Sequence, residues 1–349
     1  MQWAVLPIGG KQHLCTVGHG HVETIVEAPG SADALYVMSS DATHLAVLDN
    51  GRKRAGLFEL LPREPWIRRS IPFGTLPRKC LGHASISVAG TLYVGGHGSA
   101  GEALWRSSAA GNGTWMAIAL PDELRVRGKA IDGLHFHNHR LLAVDDLRVP
   151  KWLLEFGLAA DGELALERQI RLPTHTTYER IIHSCLGANG LGIISRGNNH
   201  GIASTHVWML DDAEFRQTAC WDARQPGMQV SDWQFSGDEH PPSDEVSGSL
   251  RPASARESLR FASEAAQLSG HLILVCRKQG ALAVDLSRHH PTDSDAALQR
   301  LNVPGLVSCD SIVEPMPADG SGVFLVGRDA ADVPAIHWLP ACDLENTRA

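Results

Sequence analysis

Apolar side chains in this chain come in short alternating runs, with little helical spacing. The stretch HASISVAGTLYVGGHG, residues 83–98, shows the pattern. Ile86, Val88, Leu92 and Val94 alternate with small or polar residues, and Ala89-Gly90 punctuates the middle. A period of two places one face of an extended chain against a core, so this stretch is a β-hairpin. His83 and His97 fall where its two chain directions meet.

The pattern recurs. Similar stretches are HVETIVEAPGSADALYVMSS from His21, DGLHFHNHRLLAVDD from Asp132, HSCLGANGLGIISRG from His183, EAAQLSGHLILVCRK from Glu264 and DSIVEPMPADGSGVFLVGRD from Asp310. Each has an apolar strand, a turn rich in Gly, Asn or Ser, and a stronger strand ending in polar residues. A third strand with an aromatic or Leu cluster follows, as in EALWRSS, KWLLEFGLA, THVWMLD and PAIHWLP. Fourth strands such as TWMAIALP and ERQIRLP end near proline. Four antiparallel strands repeated every few tens of residues form the blade of a β-propeller.

The expected fold is therefore all-β, a six-bladed β-propeller of four-stranded antiparallel blades in one domain over residues 1–349. The N-terminal MQWAVLP supplies the last blade's missing strand and closes the ring, removing open sheet edges. Seven blades is the alternative count, if residues 222–262 contain another. That stretch is polar and proline-rich. It is expected to be an inserted loop between a fourth and a first strand, placed to act as a lid.

The likeness to β-propellers is one of repeats, with one local motif. SAAGNGTW, residues 108–115, resembles a degenerate Asp-box of the sialidase type, with Ser108, Thr114 and Trp115 in place. Ala110 stands where the motif has Asp, and Asn112 where it has Gly. The resemblance implies a turn between the third and fourth strands of a blade and says little of activity. Trp66, Trp152, Trp208 and Trp338 are expected to pack between blades.

The chain has 349 residues, of which 43% are hydrophobic, enough for a large core. A net charge of −8 argues against nucleic acid as a partner, because a polyanion needs a basic field. No apolar run has bilayer length, so no membrane-spanning helix is expected. MQWAVLPIGGKQ lacks the basic and apolar regions of a signal peptide. Seven cysteines are scattered singly with no CxxC, as expected of a reduced, cytoplasmic protein.

In a propeller the first strand of each blade lines the channel. The six repeats begin with His21, His83, Asp132, His183, Glu264 and Asp310, three imidazoles and three carboxylates. Such a set at one mouth suits proton transfer or a divalent metal, Zn, Mn, Fe or Ca. The expected metal ligands are His21, His83, His183, Glu264 and Asp310, and the expected catalytic groups are His83, His183 and Asp132. Loops on the same face carry Arg196, Arg277, Arg328, His97 and His200, expected to hold substrate.

The function expected is hydrolysis or elimination on an anionic small molecule or saccharide. The alternative is a non-catalytic scaffold that binds a protein partner through the same face, with Trp233 and Phe235 as exposed tips. GHGH at 18–21 and HFHNH at 135–139 are weaker sites, since turns and cores often hold histidines.

Overall fold

The computed structural model describes residues 1–31, 34–39, 41–52, 54–75, 81–88, 91–97, 102–108, 114–120, 131–146, 150–174, 179–199, 202–211, 214–222, 258–277, 280–286 and 298–345. The strands form seven antiparallel sheets, the blades of a propeller. In chain order they span residues 2–27, 34–75, 81–117, 131–171, 180–222, 262–301 and 308–340. Blades 2 to 6 have four described strands each, and blades 1 and 7 have three.

Burial follows the position of each strand in its blade. A second strand packs against both neighbouring blades, so it reads as an unbroken apolar run. His271–Cys276, HLILVC, is buried throughout. An outer strand keeps one face wet, and Leu164–Arg171 therefore alternates. Most apolar clusters lie between blades. One joins Ile194, Val207 and Trp221 of blade 5 to Leu272, Leu274 and Leu282 of blade 6. Trp208 and Trp338 lie in such interfaces as expected, and Trp66 and Trp152 pack against two more.

Seven blades replace the expected six, and the additional blade is the N-terminal one. Gln2–Ile8 pairs with Lys11–Gly18, which pairs with His21–Glu27. It therefore builds its own sheet and does not extend blade 7. The ring closes through an exchange of backbone hydrogen bonds between Trp3 and Met316, 2.7 Å each way. Residues 223–257, most of the expected insertion, lie outside the described residues. The segment does join the outer strand Glu214–Asp222 of blade 5 to the inner strand Ala262–Leu268 of blade 6.

Blade 1 also runs in reverse. Trp3 meets Met316 antiparallel, while the Gly9-Gly10 turn shares a cavity with Asp310 and Arg328. Its first strand thus opposes the inner strand of blade 7, Ser308–Val313. The turn reaches the end of the ring where the other inner strands begin, here called the mouth. The eight-residue strand Lys11–Gly18 then carries the chain roughly 25 Å away from it. His19-Gly20 turns at the far end, and His21 follows there. The expected place of His21 in an inner strand at the mouth is corrected on this ground.

Gly20 has φ +77°, and a Cβ there would stand 2.5 Å from the Trp338 ring of blade 7. Gly20→Ala is expected to cost about 2 kcal/mol, through backbone strain and overpacking of the closing interface. Guanidinium unfolding checks this, and unchanged stability would show that the two blades are not in contact there.

Candidate active site

The inner strands of blades 3 to 7 share one irregularity. Near its start, each slips its pairing by one residue. The residues left out are His83, Asp132, Ile182, Ser263 and Asp310. Such a bulge turns one side chain out of the pleat and commonly stands beside functional sites. Ile182 and Asp310 are exposed, and Asp132 and Ser263 are half-buried. The side chain of His83 lies outside the described residues.

The alternating repeat is one residue out of step with these bulges in blades 5 and 6. His183 and Glu264 follow the bulge, so their side chains point toward the next blade. His183 Nε2 donates to the Ala265 carbonyl of blade 6 at 3.0 Å. Glu264 Oε2 accepts from Ser311 Oγ at 2.6 Å and from the Ile312 amide at 3.0 Å, both in blade 7. In blade 4, His135 Nε2 lies 2.8 Å from Ser184 Oγ of blade 5. HFHNH thus supplies an inter-blade tie through His135.

These ties are half-buried between packed blades, and their electrostatics follow. Burial, with the nearby His183, lowers the His135 pKa to about 4. Burial also holds His183 below the ordinary imidazole range, against the opposing charge of Glu264. Both rings are therefore neutral near pH 7. A third tie lies beside them. Lys151 and Asp146 form a buried ion pair, and Asp146 Oδ1 accepts from the Ile181 amide of blade 5 at 2.8 Å. Burial raises the Asp146 pKa to about 6, with Asp132 adding to it.

The side chain of His83 lies outside the described residues, and of the other four expected metal ligands only Glu264 and Asp310 share a cavity. His21 sits at the far end of blade 1, His183 and Glu264 bond to the next blade, and Asp310 turns into a cavity. Among the described residues, no group of three or more His, Cys, Asp or Glu is placed to share an ion. Of the three expected catalytic residues, Asp132 and His183 occupy neighbouring blades, with His183 committed to a carbonyl, and the side chain of His83 lies outside the described residues. His97 is exposed at the end of Thr91–His97, opposite Leu81, at the mouth as expected. His200, Trp233 and Phe235 lie outside the described residues. Ser108 ends the third strand of blade 3 and Thr114-Trp115 precede the fourth, while residues 109–113 of the Asp-box-like stretch lie outside the described residues.

What does converge is a cavity of about 350 Å³ at the mouth between blades 6, 7 and 1. Glu264, Arg277, Asp310, Ser311 and Arg328 line it, together with Gln12 and the Gly9-Gly10 turn. Asp310 is the bulged residue of blade 7. Arg277 just past the second strand of blade 6 and Arg328 at the end of that of blade 7 hold the same register position beside the bulge. Arg328 is steadied by Asp332, whose carbonyl accepts at 2.9 Å and whose carboxylate lies 3.3 Å away. Arg196 holds the same place in blade 5. Its Nη2 donates to the Ala262 carbonyl at 2.6 Å. Gln12 and the glycine turn were not among the expected site residues. A Gly-Gly pair between WAVLPI and QHLCTV was the available signal for a hairpin.

No family model and no curated protein matches this chain. Solved structures do resemble it. Hydrazine synthase of Kuenenia stuttgartiensis aligns with a TM-score of 0.56 and 9% identity, over 95% of this chain and 90% of that one. A proposed 6-phosphogluconolactonase from Bacteroides fragilis aligns with a TM-score of 0.51 and 11% identity, over 96% and 93%. At these identities the likeness is one of fold.

Protonation of the ties sets an acid limit. An unfolded His binds a proton below about pH 6.5, whereas folded His135 does so only near 4. Its contribution to stability therefore falls as pH drops through that window, by about 3 kcal/mol. Asp146 shifts the opposite way, so the test compares two proteins. Urea unfolding of wild type and His135→Asn at pH 7 and pH 4 should show the larger acid loss in wild type. Equal losses would contradict it.

Proposed function

We propose that this chain is a hydrolase acting on a small anionic sugar derivative in the cavity between blades 6, 7 and 1. The observation that carries the reading is that Asp310, Arg277 and Arg328 line one cavity. A carboxylate beside two guanidiniums combines a general base with anion recognition.

A sugar lactone suits this arrangement. Asp310 accepts a proton from water as the water oxygen bonds to the lactone carbonyl carbon. A guanidinium facing the carbonyl stabilises the oxyanion that develops. The ring C–O bond then breaks, and the proton passes from Asp310 to the departing alkoxide. Water and lactone give one hydroxy acid, and no further reactant is needed. Glu264 holds Ser311 and Ile312, and so fixes the strand on which Asp310 is bulged. Asp132 and His183 take no part in this reading.

The support lies in the side chains. The name of the Bacteroides fragilis neighbour supplies only the substrate class to assay first, aldonolactones with and without a phosphoryl group. The wild-type protein is expected to accelerate hydrolysis of at least one over the spontaneous rate. Asp310→Asn should lower kcat by about 10²- to 10³-fold. Arg328→Ala should raise KM about tenfold with a smaller change in kcat. A wild-type rate equal to the spontaneous one, or an unchanged kcat in Asp310→Asn, would contradict the proposal.

A further inference from the structure

We propose that Arg196 and Arg277 form a phosphate-binding subsite where blades 5 and 6 meet at the mouth. The substrate would then be a phosphorylated one, its phosphoryl group held there and its reacting carbon facing Asp310. The assignment to substrate rests on the hydrolase reading, whereas the phosphate site itself does not.

Arg196, Arg277 and Arg328 hold the same register position beside the bulge in three successive blades, so the repeat sets them side by side in an arc. Arg328 has an acidic partner in Asp332. Among the described residues, Arg196 and Arg277 have no ion-pair partner, and Arg277 is close enough for its charge to act on Arg196. Two adjacent cations, one of them half-buried, repel each other and lose hydration. That arrangement is stabilised when an anion stands between them.

The donors show what shape of anion fits. One corner of the Arg196 guanidinium is fixed by the Ala262 carbonyl. Its Nε is buried and has no acceptor among the described residues. Buried N–H groups rarely go unpaired, so this guanidinium keeps donor capacity that the described residues do not meet. Arg277 is held in the fold by its backbone, its amide donating to the Phe261 carbonyl at 3.1 Å, and its side chain is exposed. Two guanidinium forks present more donors than one carboxylate has oxygens to meet. A phosphate monoester offers three terminal oxygens and a charge of about −1.5 to −2, which matches two cations. Arg277 also lines the Asp310 cavity, so the subsite opens directly onto the proposed reaction centre.

The test is titration of the full chain with inorganic phosphate by calorimetry. Wild type should bind with a Kd of about 1 mM or tighter, and acetate should not compete at the same concentration. Arg277→Ala should weaken phosphate at least about tenfold, and Arg196→Gln should do likewise. Arg277 contributes only its backbone to the fold, so its variant reads binding without a folding defect. No phosphate binding by wild type, or full affinity in Arg277→Ala, overturns the subsite.

A second arm separates a substrate's phosphoryl group from free phosphate. Wild type should prefer a phosphorylated aldonolactone over the same lactone without phosphate by about 100-fold in kcat/KM, and Arg277→Ala should lose most of that preference. Equal turnover of the two lactones overturns the substrate assignment. If neither lactone is hydrolysed while phosphate still binds through Arg277, the subsite stands and the hydrolase reading fails.

Discussion

Apart from the Trp3–Met316 exchange that closes the ring, backbone hydrogen bonds of the strands run within each blade, so the ring is held by side chains that pass between blades. Apolar packing supplies most of that contact but does not fix where one inner strand lies along the next. In blades 4 to 7 that register is set by half-buried polar side chains reaching forward: His135 to Ser184, His183 to the Ala265 carbonyl, and Glu264 to Ser311 and the Ile312 amide. Near each tie the inner strand bulges, at Asp132, Ile182 and Ser263. The candidate site depends on this division between residues that join blades and residues that face solvent.

The division also explains what was legible in the sequence. Period-two alternation with Gly, Asn and Ser turns gave the all-β repeat, because each hairpin has its own buried face. The placement of the arginines was legible for the same reason, since the second strands of blades 5 to 7 all run toward the mouth. The bulge was not legible. It adds one residue without changing composition, and it turns His183 and Glu264 from the channel toward the next blade. Polar residues at the start of each repeat therefore looked like one convergent set, although they serve two purposes.

The blade count failed for a different reason. WAVLPI and QHLCTV carry the alternation of every other hairpin, but as an N-terminal segment they also fit the role of a closing strand. The pairing of Gln2–Ile8 with Lys11–Gly18 in a sheet of its own distinguishes the two. The reversal of blade 1 removes His21 from the mouth and brings the Gly9-Gly10 turn and Gln12 to it. The cavity is thus closed on one side by the blade least like the others. Arg277, Asp310 and Arg328 come from the regular repeat, and the fourth wall comes from the exception.

The most direct measurement is a crystal structure of Asp310→Asn soaked with a phosphorylated aldonolactone. The account predicts ligand density in the cavity between blades 6, 7 and 1, with phosphate oxygens on Arg196 and Arg277. The lactone carbonyl carbon should lie within about 3.5 Å, or one intervening water, of the residue at 310. Density at another place on the protein, with this cavity holding only solvent, would contradict it.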